Sequence, residues 1–202
     1  QSVGQIVVDV QQIKCDFLTT TGRKFLRGPR GTGFLYVSDR LLAKGYAPLF
    51  IDGGGATWTN INKFEVLPNA QRFQMWEKSY ALLIGLTKAM EYALAIGMEH
   101  IQHYNQQLMQ RLKTNMSTIP DIQLFDKGTT TCNLLTFRKA GKSKEAIQKA
   151  LDQKTVFYSV STKEWGLIDY GKKGVDWTIR LSPHYFNTLG EMDEVARIIE
   201  GI

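Results

Sequence analysis

The chain has 202 residues, 43% of them hydrophobic and 22% charged, and 25 Lys and Arg against 19 Asp and Glu give a formal net charge of +6. That length suits one large domain or two small ones with a real core, and the composition excludes a disordered or low-complexity chain. The longest apolar stretch, residues 80–86, contains Gly85 and runs into Thr87 and Lys88, far short of a membrane-spanning helix.

The N-terminus begins at Gln1 with no basic region and no cleavage pattern, and strand-like apolar sequence starts almost at once. Residues 6–10 and 16–20 have strand composition, and residues 34–37 read as a compact buried strand. Between the last two lies a loop dense in glycine and cations, residues 21–33. A second glycine cluster, Gly53-Gly54-Gly55, precedes polar Thr57-Trp58-Thr59-Asn60. Glycine-rich connectors between short strands predict an α/β layer with functional loops. From Lys78 the period changes. Leu83, Leu86, Met90, Ala93 and Leu94 predict a helix from about Ser79, Gly97 bends it, and Ile101, Tyr104, Leu108 and Leu112 continue it until before Pro120. Strands at 122–125 and 133–137, a helix at 142–153, strands at 156–160 and 177–181 and a helix from Leu189 follow. This ββαββα order predicts a small α+β domain. The expected division is 1–97 and 98–202.

The two cysteines, Cys15 and Cys132, cannot make a disulfide framework or a four-cysteine zinc site, so free thiols in a reducing, cytoplasmic compartment are expected. The bases are spread along the chain, with the densest cluster at Arg138, Lys139, Lys142 and Lys144. A solvated basic surface is expected, and neither nucleic acid nor a membrane as partner. His100 and His103 stand three apart on a helix, a spacing a metal can use, but no third ligand accompanies them and no metal site is expected.

The loop at 21–33 is the first candidate for chemistry. Lys24 sits among Thr21, Gly22 and Arg23, with Arg27 and Arg30 close behind. Neighbouring cations disfavour the charged form of an amine, as a Schiff-base lysine requires, and a Thr hydroxyl with an Arg fork beside glycine is a natural phosphate ligand. An exposed basic loop is the plainer alternative. Gly31-Thr32-Gly33 completes neither a dinucleotide nor a Walker fingerprint.

The run Asp16-Phe17-Leu18-Thr19-Thr20-Thr21-Gly22-Arg23-Lys24, followed by Gly28-Pro29-Arg30-Gly31-Thr32-Gly33-Phe34-Leu35-Tyr36-Val37, resembles the cofactor-lysine segment of class V aminotransferases. These are fold-type I enzymes of pyridoxal 5'-phosphate and include cysteine desulfurases, C–S lyases and isopenicillin N epimerase-like proteins. The likeness extends through the glycine cluster, the helix at 79–96 and Arg180-Leu181-Ser182. It implies an α/β fold: the C-terminal part of the large cofactor-binding domain, followed by the small α+β domain.

The resemblance further implies that Lys24 forms the internal aldimine. Thr21 and Arg23 hold the cofactor phosphate, Gln1 bonds the pyridoxal hydroxyl, Arg180 grips the α-carboxylate of an amino-acid substrate, and His184 lines the substrate pocket. A homodimer is implied as well. Many relatives have His where Arg23 stands. The aspartate that pairs with the pyridine nitrogen falls upstream of Gln1, so a longer enzyme whose N-terminal half supplies it is expected, with these residues inactive alone. The segment 72–79, which in relatives reaches the neighbouring subunit's cofactor, departs from the desulfurase pattern. Residues 156–170, where desulfurases carry a nucleophilic cysteine, hold Ser159, Ser161, Thr162 and Trp165 but no Cys. A transaminase or C–S lyase is therefore expected in place of a cysteine desulfurase. The alternative from another class is a non-catalytic binding or assembly module that retains the fold.

Overall fold

A computed structural model describes residues 1–128 and 132–202, which form two compact units, Gln1–Met98 and Glu99–Ile202. In the first, Val3 and Ile6 share an isolated bridge and residues 7–9 are not in a strand. The strand expected at 6–10 gives way to a short helix, α1 (Val10–Ile13), because the Asp9 carboxylate accepts from the Gln11 and Gln12 N–H groups and Lys14 ends the turn in the left-handed region.

Strand β1 (Phe17–Thr21) pairs antiparallel with β2 (Gly33–Val37), Thr21 standing opposite Gly33. The expected buried strand at 34–37 is half open: Phe34 and Leu35 are exposed and only Val37 is buried. An isolated pair of strands has no second layer on both faces, so a continuous apolar run does not guarantee burial. Helix α2 (Asp39–Ala43) starts at Ser38, whose hydroxyl caps Leu41 N–H and donates to Asp16. A hairpin, β3 (Ala56–Asn60) and β4 (Lys63–Val66), sets Trp58 across from Phe64, both exposed. Helix α3 (Tyr80–Ile96) follows and ends at Gly97, whose φ of 93° few other residues adopt.

Helix α4 (Met98–Ser117) buries Ile101, Asn105, Leu108, Leu112 and Met116 along one face. Strands β5 (Ile122–Leu124), β6 (Leu135–Lys139), β7 (Ser159–Thr162) and β8 (Trp177–Leu181) form an antiparallel sheet in the order β5-β6-β8-β7. Helices α5 (Lys144–Gln153) and α7 (Leu189–Glu200) complete the core, in which Phe137, Ile147, Leu151, Ile179 and Ile199 are all 0% exposed. One element lies outside the expected ββαββα order: α6 (Leu167–Lys173), between β7 and β8 and bounded by Gly166 and Gly174. No single helix among the described residues is long and apolar enough to cross a membrane.

Candidate functional site

Lys24 lies in the connection between β1 and β2, and that loop is tied to itself and to α3. Gly22 N–H donates to Thr32 O and Gly28 N–H to Gly22 O, each at 2.8 Å, Arg27 N–H donates to Lys24 O at 2.8 Å, and the Thr32 hydroxyl donates to Pro29 O at 2.7 Å. A Cβ on Gly22 would stand 2.3 Å from Thr32 Oγ1 and 2.7 Å from Leu86 Cδ1. One on Gly85 would stand 2.7 Å from Pro29 Cγ. Glycine at these two positions lets the loop bed directly on the helix. The result is a half-buried Lys24 and a buried Leu26, with Arg23, Arg27 and Arg30 at the surface and the Arg27 guanidinium 5.8 Å from the centre of the Tyr92 ring.

The N-terminal segment reaches the same loop. Gly4, at φ +94°, would place a Cβ 2.6 Å from both Leu26 N and Phe25 C. Gln1 is therefore three residues from a direct backbone contact with the lysine loop. Gln1 itself is exposed and its carbonyl accepts from Gln5 Nε2 at 2.9 Å, whereas Gln5 is 2% exposed. Gln1, Thr21, Arg23 and Lys24 all belong to the first unit. On β1, the Thr20 hydroxyl is buried without a hydrogen-bond partner among the described residues.

Arg180 and His184 belong to the second unit. On β8, Trp177, Ile179 and Leu181 point to the apolar core, so the period of two sends Thr178 and Arg180 to the opposite face. There Arg180 is half-buried, with Nη2 donating to the Ser159 hydroxyl at 3.2 Å and Nε buried without a partner among the described residues. Thr178, on the same face, is 0% exposed and shares a 2.7 Å hydrogen bond with the Tyr170 hydroxyl of α6.

His184 is 3% exposed. Its Nδ1 lies 3.2 Å from Asn105 Nδ2 and 3.3 Å from Asn105 Oδ1, its N–H donates to Asn187 Oδ1, and its ring packs edge-on against Tyr185. Asn105 of α4 and the turn after β8 thus enclose the imidazole. Arg72, in the segment 72–79, is also interior at 5% exposure, donating to the carbonyls of Leu67 and Tyr46 at 2.7 and 2.9 Å. Residues 156–170 form β7, the turn Lys163–Trp165 and the start of α6; Cys15 and Cys132 are free thiols of intermediate burial elsewhere.

Two residues beside Arg180 were not foreseen. Thr136 and Ser159 stand directly opposite it on β6 and β7. Only the strand register brings them together, and no short sequence motif marks it.

Comparison with known proteins sets this geometry in a family. The family model described as Aminotransferase class-V matches residues 1–195. A cysteine desulfurase of Synechococcus elongatus is 31% identical over 204 residues, covering 100% of this chain and 32% of the relative. The apo structure of a cysteine desulfurase from Thermococcus onnurineus NA1 superposes with a TM-score of 0.88 at 23% identity, covering 100% of this chain and 50% of that one. The cystine C–S lyase C-DES, solved with its reaction product cysteine persulfide, gives 0.78 at 20% identity, covering 98% of this chain and 50% of that one. The chain spans about a third to a half of the length of the curated relatives it matches first. The two structures share its fold, and the family model spans nearly all of it: the chain belongs to the class V aminotransferase family.

Proposed function

We propose that the protein bearing this chain is a pyridoxal-phosphate-dependent enzyme of the cytoplasm that acts on a small amino acid as a transaminase or C–S lyase. The observation that carries this reading is the Lys24 loop, a half-buried lysine on a hydrogen-bonded, glycine-set turn with Thr21 and Arg23 beside it in sequence. Its donor set fits pyridoxal 5'-phosphate: an amine for the aldehyde at Lys24, a hydroxyl and a guanidinium for the phosphate at Thr21 and Arg23, and the Gln1 amide for the ring hydroxyl. When bound, the cofactor supplies an electron sink for charge left at the substrate Cα.

Residues of this chain take part of the remaining work. Lys24 holds the cofactor and then moves the proton at Cα. Arg180 binds the α-carboxylate through charge-assisted hydrogen bonds, which orients the Cα–H bond. His184, fixed against Asn105, positions the turn that follows Arg180. Likeness to a cystine C–S lyase supports C–S lysis. A thiol-based desulfurase is disfavoured, because residues 156–170 offer Ser159, Ser161 and Thr162 as nucleophiles but no Cys. The exposed Leu49, Phe50, Trp58 and Ile61 support a homodimer.

The test is turnover of the cofactor-loaded intact protein with a panel of amino acids, following 2-oxo acid and, with cysteine or cystine, sulfur release. Lys24→Ala is expected to lower turnover roughly 10²–10⁴-fold, the scale of a lost general base. Turnover unchanged by that substitution would refute the assignment.

A further inference from the structure

Arg180 occupies the inner strand β8 with a hydroxyl residue directly opposite on each neighbouring strand, Thr136 on β6 and Ser159 on β7. The two hydroxyls are committed differently. Thr136 is drawn away by Asp126: its N–H donates to Asp126 Oδ2 at 2.6 Å and its hydroxyl to Oδ1 at 3.0 Å. Ser159 Oγ instead accepts from Arg180 Nη2 at 3.2 Å. Nε is closed off from solvent with no hydrogen-bond partner among the described residues, and Thr136 is held by Asp126. Among the described residues, the hydrogen bond that holds the guanidinium is the one to the Ser159 hydroxyl.

From this we infer that Ser159 is a positioning residue for the carboxylate-binding fork of Arg180, an inference that rests on the reading of Arg180 above. With one Nη2 hydrogen on Ser159 and Nε buried, the donors left for a ligand are Nη1 and the second Nη2 hydrogen. Those two form the planar end of the fork, whose spacing matches the two oxygens of a carboxylate. An unrestrained arginine has many rotamers and loses that freedom when a ligand binds. One already held by Ser159 has lost much of it beforehand, so the carboxylate binds more tightly with no added contact.

The experiment compares Ser159→Ala, Ser159→Thr and Arg180→Ala in the cofactor-loaded intact protein. It measures KM and kcat for an amino-acid substrate, and the Kd of propionate, a non-reacting carboxylate, by titration calorimetry. Ser159→Ala is expected to raise both KM and the propionate Kd about tenfold, the scale of one hydrogen bond to a charged group, with kcat within about twofold of wild type. Ser159→Thr keeps the hydroxyl and is expected to restore both values to within about threefold. Arg180→Ala is expected to weaken both by more than Ser159→Ala does. If Arg180→Ala weakens propionate but Ser159→Ala does not, the inference fails while the reading of Arg180 stands. A kcat that falls as far as KM rises, or a threonine variant no better than alanine, assigns Ser159 to structure and also overturns it. If Arg180→Ala changes neither value, the carboxylate reading fails and the inference with it.

Discussion

Gly4 ties the N-terminal segment to the lysine loop, and replacing it with alanine measures how tightly. At φ +94° an alanine is strained, and its Cβ would stand 2.6 Å from Leu26 N and Phe25 C and 2.8 Å from Phe25 O. All three are backbone atoms, so no side-chain rotation relieves the contact. Gly31 is the matched control: its φ of +80° carries similar strain, but its nearest neighbour, Leu82 Cδ1, is 4.0 Å away in ordinary contact. Left-handed backbone costs a non-glycine residue about 1–2 kcal/mol, and overpacking adds about 1–3 kcal/mol. Gly31→Ala should therefore destabilise the intact protein by about 1–2 kcal/mol and Gly4→Ala by about 2–5 kcal/mol. The assay is denaturant unfolding of both variants, read by tryptophan fluorescence and by the cofactor absorbance band. The Gly4 variant should lose the cofactor signal first. Equal destabilisation by the two substitutions would refute the close approach of residues 1–6 to the Lys24 loop.

Other substitutions probe the second unit. Phe137→Ala empties a position that is 0% exposed in the core and should cost about 3–5 kcal/mol in equilibrium unfolding. Tyr170→Phe removes the hydrogen bond to the buried Thr178 hydroxyl and should cost about 1–3 kcal/mol, and an undiminished cost of the same substitution in a Thr178→Val background would contradict the pairing. Arg111 and then Asn115 hold the Asp193 carboxyl at about 2, below its ordinary 3.8. Because the folded value is depressed, the linked stability is present above about pH 4 and is lost as pH falls through about 2. Unfolding midpoints measured across that acid range should fall less steeply for Asp193→Asn than for wild type; parallel curves would contradict the pairing.

The parts of the molecule that were legible in the sequence are those whose signals are local. The glycines flanking Lys24 announce a tight loop, and the spacing of Leu83, Leu86, Met90 and Ala93 announces α3, which runs from Tyr80 to Ile96. What was illegible depends on contacts distant in sequence or on competing local ones. The apolar run after Ile6 reads as a strand, yet the Asp9 cap turns it into α1. The hairpin at β3 and β4 hid behind an unusual turn, Asn60-Ile61-Asn62-Lys63, with a register shift between Trp58 and Asn60. Helix α6 is only seven residues long, and the tie of Tyr170 to Thr178 gives its sequence no periodic mark. Arg72 and His184 carry polar side chains, and no local signal marks the backbone carbonyls and the Asn105 side chain that hold them in the interior. At the site, the lysine loop was readable. The flanking of Arg180 by Ser159 and Thr136 was not, because it exists only in the order β6-β8-β7.

The central claim is that Lys24 is the residue that bonds the cofactor. The most direct measurement is to load the intact protein with pyridoxal 5'-phosphate, reduce it with borohydride, digest it and locate the modified lysine by mass spectrometry. The account predicts a single phosphopyridoxyl group on Lys24, absent from the Lys24→Ala variant. A label on another lysine, such as Lys14 or Lys44, or one that persists unchanged in the Lys24→Ala variant, would contradict it.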